Sequence, residues 1–222
     1  MNKSRINAGT TAVMKYCQDA QVSYCQSDEI SVLLRNDMTH QTDPFLANRT
    51  QKIASLCASK VSVAFNKEMA LHGVETEAVF DCRVFVLPPS EVNNYFLWRQ
   101  RDAFRNCITS VAYWGLRKLY GRKTAHKKMQ GLSTSERQEL IFQELGTNPN
   151  DIETEFKRGR CMYRDTYQTY LRDVLPSEKA AQMLEDGVIE DLDKIVTRSR
   201  WVVDREIPQF DSDPEYISKY LG

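Results

Sequence analysis

The apolar positions of the chain change period several times, and each change marks an element. Residues 10–19 read as the end of a helix, with Thr10 or Thr11 available as its cap. Two β-prone runs follow over 20–26 and 29–35, containing QVSYCQ and EISVLLR and joined at Ser27-Asp28. This pattern predicts a hairpin or sharp bend with an acidic tip. A polar connection over 37–43 leads to a long helix over 45–71, where Ile53, Cys57, Val61 and Ala64 form an apolar stripe. A strand is predicted over 79–87, ended by Pro88-Pro89. Ser90 can cap a second long helix that runs to about Tyr120 and ends at Gly121, with Leu97, Phe104, Ile108 and Val111 on one face. Thr134 or Ser135 opens a shorter helix ending near Gly146. Past a polar link, the basic run Lys157-Arg158-Gly159-Arg160 leads into a short strand. An acidic helical stretch over 176–194, a late strand at Trp201-Val202-Val203 and a tail with a last turn complete the chain.

This order is most of a split βαββαβ arrangement without its first strand. The fold class expected is α+β, an antiparallel sheet with long helices on one face. A core over 1–130 would carry a helical and strand extension over 131–222.

Composition narrows the classes. The chain has 222 residues, 41% of them hydrophobic, enough to bury a core. Lys+Arg and Asp+Glu both count 30, so attraction for nucleic acid must come from local segregation of charge. Six cysteines at 17, 25, 57, 82, 107 and 161 include no C-x-x-C pair and mostly lie in apolar runs, as reduced buried thiols do. Histidines at 40, 72 and 126 have no zinc-ligand spacing. The N-terminal MNKSRINAGTT has no apolar signal-peptide core, and no apolar run approaches membrane-spanning length. A soluble, cytoplasmic protein without a membrane partner is expected.

The sharpest chemical feature is Asp28-Glu29. Adjacent carboxylates at a hairpin tip are costly unless water, a metal or a cation compensates. Palm-type enzymes place acids there because two Mg²⁺ ions must bridge a triphosphate and an attacking oxygen. Successive strand residues point to opposite faces, so Asp28 and Glu29 would not share one metal site and a second acid is needed from another strand. A plain acidic turn is the alternative. Arg49, Lys52, Ser55 and Ser59 share a face near the start of the first long helix, suited to a triphosphate or simply solvated. Asp81 and Arg83 share a strand face, as an ion pair or with Asp81 as a reserve metal ligand. Arg99, Asp102 and Asn106 align on the second long helix. From Arg99 to Lys128 nine basic residues, Arg105 among them, face one acid, with Trp98, Tyr113, Trp114 and Tyr120 interleaved. That suits RNA backbone and base contacts, or a surface helix whose aromatics belong to the core. The acidic 176–194 stretch can pair with this patch in an oligomer.

These segments, taken in order over about residues 11–165, resemble the tRNA(His) guanylyltransferases and their relatives. Tyr24-Cys25-Gln26-Ser27-Asp28-Glu29-Ile30-Ser31 resembles the family's metal motif, and Arg49-x-x-Lys52 with Ser55 and Ser59 its triphosphate helix. Phe80-Asp81-Cys82-Arg83-Val84 and Trp98-Arg99-Gln100-x-Asp102 with Asn106 follow in register. Arg137-x-Glu139-Leu140-Ile141-Phe142 and Lys157-Arg158-Gly159 resemble later segments. The resemblance implies a polymerase-palm core, two Mg²⁺ ions, ATP and GTP as substrates, a tRNA 5′ end as acceptor of 3′→5′ nucleotide addition, and a homotetramer. It implies Asp28 as metal ligand and Glu29 as its catalytic neighbour, with Ser27, Arg49, Lys52 and Ser55 on the triphosphate. Asn106 and Arg137 would lie near phosphates or the RNA end, with Arg99, Arg105, Lys157 and Arg158 also toward the RNA.

Phe104 stands where the eukaryotic members carry histidine, which favours the template-dependent, repair-like branch. The family's Asp-Gly-Arg first strand has no counterpart here, and its loss would leave a slot in the sheet. Trp201-Val202-Val203 is a candidate to fill it. Two further functions stay open, a tRNA-binding or oligomer-partner module without chemistry and a palm-type nucleotide cyclase.

Overall fold

Gln26 pairs with Glu29 across a turn whose first residue, Ser27, is left-handed at φ 48°. This turn closes the antiparallel hairpin of β1 (Ala20–Gln26) and β2 (Glu29–Leu34). Both strands match the expected runs to within a residue. The computed structural model describes residues 3–35, 43–189 and 191–221. The predicted connection over 37–43, apart from Asp43, lies outside them, as does His40.

β1 is buried on both faces, as an interior strand must be. Cys25 joins Ile6 of α1 (Lys3–Tyr16) and Phe65 of α2 (Thr50–Leu71) in one apolar cluster, with Ile30, Met69 and Phe80 packed on it. The neighbouring Tyr24 points the other way, its ring centroid 6.3 Å from that of Phe96 of α3 (Pro89–Met129) in an edge-on contact. Ser31, opposite Tyr24 across the hairpin, meets Tyr95 at 2.9 Å. So α1 and α2 cover one face, as the split βαβ pattern requires, and α3 crosses the opposite face.

Several boundaries differ from the sequence expectation. Thr10 and Thr11 lie inside α1, where the Thr10 hydroxyl donates to Ile6 O at 3.0 Å rather than capping a terminus. A 3₁₀ turn over Phe45–Asn48 precedes α2, and its buried stripe is Ile53, Cys57, Val61 and Phe65. Phe65 replaces Ala64 because the larger ring lies one residue on, within the same apolar stripe. Gly121 takes φ 77°, a kink after which the helical run continues to Met129 instead of ending. Its second half packs Ile108, Ala112, Leu116 and Met129 against Ile141 of α4 (Thr134–Leu145). The predicted strand over 79–87 is extended but pairs with no strand among the described residues. Asn66 holds it instead, with both its amide nitrogen and oxygen bonded to the Ala78 backbone, and Ser62 Oγ accepts from Phe80 N–H at 3.0 Å.

After the short α5 (Thr154–Lys157) comes β3 (Arg160–Tyr170), eleven residues where a short strand was expected. With β4 (Ile195–Asp204) it gives the strand order β2-β1-β3-β4. Trp201-Val202-Val203 lies within β4, beside β3, and therefore fills no slot next to β2. The chain forms two compact units, residues 1–162 with 203–222, and residues 163–202. The second comprises most of β3 and β4 with α6 (Leu171–Val174) and α7 (Ser177–Glu185), the helical part of the 176–194 stretch. Arg200 pairs there with Asp165 at 3.3 Å, and Arg164 donates to Ser199 Oγ at 2.8 Å. In the first unit Gln100 anchors the tail, donating to Pro208 O at 2.8 Å and accepting from Phe210 N–H at 2.9 Å. The last turn is α8 (Glu215–Ser218).

α4 begins with a full capping box. Ser133 Oγ accepts from Glu136 N–H, and the Glu136 carboxylate accepts from Ser133 N–H at 2.7 Å. Ser133 O–H and N–H both donate to this carboxylate and hold it below its ordinary range. A depressed carboxylate stabilises the fold above its unfolded value, and that contribution is lost as pH falls through the lowered one. Ser133→Ala is expected to cost about 1 kcal/mol in urea unfolding at pH 7. The gap from wild type should narrow below about pH 4. A gap unchanged into acid would show that Glu136 takes no part.

Candidate functional site

The hairpin tip is tied to α3 by charge. Arg99 is nearly buried, with only 10% of its side chain exposed, because it follows Phe96 by one turn on the face packed against the hairpin. Its guanidinium reaches Glu29 and, at 3.3 Å, Asp102. Gln26 Nε2 donates to the same Glu29 oxygen at 2.7 Å. Asp102 also receives Arg105, and Asn106 Nδ2 at 3.1 Å. One continuous polar chain thus runs Gln26–Glu29–Arg99–Asp102–Arg105/Asn106 along the tip and the helix. Arg99 also lies over the Trp98 ring, 4.5 Å from its centroid.

The predicted candidates divide accordingly. Glu29 is occupied by Arg99 and Gln26, so its carboxylate positions the tip. Asp28 projects from the turn, exposed, beside Ser27. Asp28 and Glu29 line a cleft of about 820 Å³, shared with Arg99 and the extended 80–87 segment. The start of α2 borders it through Asn48, Thr50 and Ile53. Arg49, Lys52 and Ser55 are exposed around that helix start but do not line the cleft, and Ser55 Oγ donates to Lys52 O at 3.2 Å. Asp81 and Arg83 pair at 3.7 Å, both more than four-fifths exposed, which fits a weak surface ion pair.

Farther along α3, Arg137 Nη1 donates to Thr109 Oγ1 at 2.9 Å, one turn beyond Arg105. Burial pushes the Cys107 thiol up, and the positive charge of Lys157 offsets part of that rise. Lys157 Nζ donates to Asn150 O at 2.6 Å, and Arg158 Nη1 to Ile207 O at 3.5 Å. Trp98, Trp114 and Tyr120 are exposed, while Tyr113 packs on the α3–α4 cluster. Only Tyr113 therefore follows the core alternative. Lys128 and Tyr120 are engaged with Glu144, both at 2.6 Å.

The two Mg²⁺ ions implied by the resemblance do not fit the described residues as they stand. Those residues contain no group of three or more His, Cys, Asp or Glu side chains able to hold a metal. At the tip Glu29 is spent on Arg99, which leaves Asp28 alone. Sequence reasoning missed Tyr95, and it placed Gln26 and Gln100 in motifs without giving either a role. Gln26 had a signal in its place opposite Glu29 across the predicted turn. The anchoring role of Gln100 had none, because its partners lie more than a hundred residues away.

The chain matches the family model described as tRNAHis guanylyltransferase over residues 2–88, and the Thg1 C terminal domain over residues 90–202. It is 34% identical over 163 residues to a Drosophila melanogaster protein named "Probable tRNA(His) guanylyltransferase", covering 72% of this chain and 56% of that protein. It is 30% identical over 190 residues to the tRNA(His) guanylyltransferase of Debaryomyces hansenii, covering 81% and 69%. The chain thus spans little more than half the length of the fly relative. Among solved structures, a bacterial tRNA(His) guanylyltransferase (Thg1)-like protein in complex with ATP superposes with a TM-score of 0.75 at 30% identity. That match covers 98% of this chain and 78% of the other. The form in complex with GTP gives 0.68 at 28% identity, over 100% and 79%. By both family models and by these relatives, the chain belongs to the tRNA(His) guanylyltransferase family.

Proposed function

We propose that this chain transfers nucleotides to the 5′ end of a tRNA or tRNA-like RNA, in the 3′→5′ direction, using ATP and GTP. The observation that carries this reading is the match to the bacterial relative bound to ATP, which runs through 98% of this chain. In this reading the exposed Asp28 and Ser27 meet the triphosphate end of the cleft, and Arg49, Lys52 and Ser55 add charge and donors at the start of α2. Arg99, Arg105, Asn106, Arg137, Lys157 and Arg158 form the α3 side, where exposed Trp98 and Trp114 offer ring faces to unpaired bases. Mg²⁺ belongs to the proposal with ligands beyond Asp28, because one free carboxylate cannot hold two ions. The protein acts as a homo-oligomer in the cytoplasm in the same reading.

The test is incorporation of labelled GTP into 5′-monophosphorylated tRNA with ATP and Mg²⁺. Wild type should label the 5′ end. Asp28→Asn should lower the rate by about 100-fold or more, in the range seen when one electrostatic group is lost from a transfer site. Its tRNA affinity should be unchanged and should still weaken as salt rises. Labelling insensitive to Asp28→Asn would remove Asp28 from the chemistry. RNA binding with no labelling at all would leave a binding module. Labelling or cyclisation of nucleotide without RNA would point to the cyclase alternative.

A further inference from the structure

We propose that Cys17 and Cys57 form a redox-modification site, which a hydroperoxide converts from two thiols to one disulfide and a dithiol converts back. The site stands independently of the transfer activity.

All six cysteines are thiols in the structure, and two of them meet. Cys17 lies just past the end of α1 and Cys57 two turns into α2, with their sulfurs 3.6 Å apart. The two are 40 residues apart in sequence, so the contact comes from the packing of α1 on α2. A disulfide holds its sulfurs at about 2.05 Å, so closing the bond takes about 1.5 Å of movement. Cys17 can supply it. It sits in neither a helix nor a strand, at the turn between α1 and β1. A rotation of its side chain there leaves the β1–β2 ladder intact.

The other four thiols are poorer candidates. Cys25 and Cys161 are sealed, 2% and 0% exposed, and burial raises both. Burial also raises Cys82 and Cys107. Cys57 goes the other way, because the Cys17 S–H donates to it and holds it below the ordinary thiol range. The same hydrogen bond, together with burial, raises Cys17. The thiolate is the nucleophile, so Cys57 reacts first and Cys17 second. Both are buried yet border the cleft, which gives a molecule little larger than water a path to them. Cys82 borders the cleft as well, but its thiol is turned to Arg83 O at 3.9 Å.

The chemistry balances with one oxidant. The Cys57 thiolate attacks an oxygen of the hydroperoxide, a sulfur–oxygen bond forms and the oxygen–oxygen bond breaks. The departing oxygen takes a proton and leaves as water or alcohol. Cys17 then attacks the Cys57 sulfenic sulfur and gives up its proton, and the sulfenic oxygen leaves as water. With hydrogen peroxide, two thiols and one peroxide become one disulfide and two waters, and two electrons pass from sulfur to oxygen. A small dithiol returns those electrons by exchange. In a reducing compartment such a pair stays reduced until an oxidant arrives. The bond closes a covalent loop around the whole β1–β2 hairpin, acidic tip included, and so restricts the unfolded chain.

The test uses the full chain, reduced with dithiothreitol, desalted, and given a few equivalents of hydrogen peroxide before alkylation. Peptide mapping should join the Cys17 and Cys57 peptides and leave the other four cysteines alkylated. Dithiothreitol should reverse the link. The oxidised form should melt about 5–15 °C higher than the reduced one. In Cys17→Ser, which cannot close the bond, dimedone should trap a sulfenic acid at Cys57 about tenfold or more faster than at Cys25 or Cys161. Four results overturn the proposal. They are Cys57 joined to Cys82 as readily as to Cys17, oxidation of the thiols with no link, an oxidised form that melts no higher, and dimedone spread evenly over the thiols of Cys17→Ser. If Cys17→Ser fails to fold, wild type mapped in concentrated urea takes its place. The Cys17–Cys57 link should dominate in the native protein and scatter among the six cysteines in urea, and equal scatter in both overturns the site.

Discussion

Replacing Gly159 by alanine should destabilise the protein by about 3–5 kcal/mol. The glycine sits at φ +78°, where any other residue costs about 1–2 kcal/mol. A Cβ there would lie 2.7 Å from the Cys25 carbonyl oxygen and 2.7 Å from Tyr24 Oη. The carbonyl belongs to β1, bonded on both sides, and cannot withdraw. Tyr24 cannot yield freely either. Its hydroxyl donates to Arg158 O at 2.6 Å, and its ring is 1% exposed between Phe96 and Phe210. Moving it forfeits a hydrogen bond worth about 1 kcal/mol and forces repacking that costs about 1–3 kcal/mol. Gly146 is the control. It is also left-handed, at φ +63°, but nothing lies within 4 Å of its Cβ position. Gly146→Ala should cost about 1 kcal/mol. Urea unfolding of the two variants decides the matter, and a difference below about 1 kcal/mol would sink the steric argument.

Gly159 also shows where the sequence was legible. In the sequence it belongs to Lys157-Arg158-Gly159, a basic segment that the resemblance turns toward RNA. In the structure the glycine serves the close approach of that segment to β1, which no local pattern announces. The hairpin was legible because its information is local: two β-prone runs, two turn residues and an acidic tip. The long helices were legible from their stripes. The strand over 79–87 was half legible. Its alternation is real and its residues are extended, but strand status depends on a neighbour that sequence pattern alone does not supply. The site divided in the same way. Asp28-Glu29 stood out as a pair, yet their division of labour was set by Arg99, seventy residues on. The aromatics on α3 were ambiguous between core and surface, because helical spacing cannot say which face another helix covers; α4 covers Tyr113 and leaves Trp114 exposed.

Arg99→Met is expected to cost about 2–3 kcal/mol and to lower the proposed transfer rate by about 100-fold. The guanidinium joins the hairpin tip to α3, through Glu29 on one side and Asp102 on the other. Breaking a buried ion pair costs about 3–5 kcal/mol, and Glu29, 54% exposed, regains part of that from water. Asp102 retains Arg105 and Asn106, and Glu29 retains Gln26, so neither carboxylate is stranded. What is lost is the register of the tip, and with it the position of Asp28. A misplacement of about 1 Å suffices for a 100-fold loss. Lysine should not rescue, since a single ammonium cannot serve two carboxylates as a planar fork does. Glu29→Gln alone should cost about 1 kcal/mol, and adding it to Arg99→Met should cost less than the sum, because both remove one link. Urea unfolding and labelled-GTP incorporation on all four variants test this. Additive losses would deny the link. A rate loss in Arg99→Met at full stability would mean that Arg99 acts on the RNA directly, as the basic run in the sequence first suggested, and that the tip needs no brace from α3.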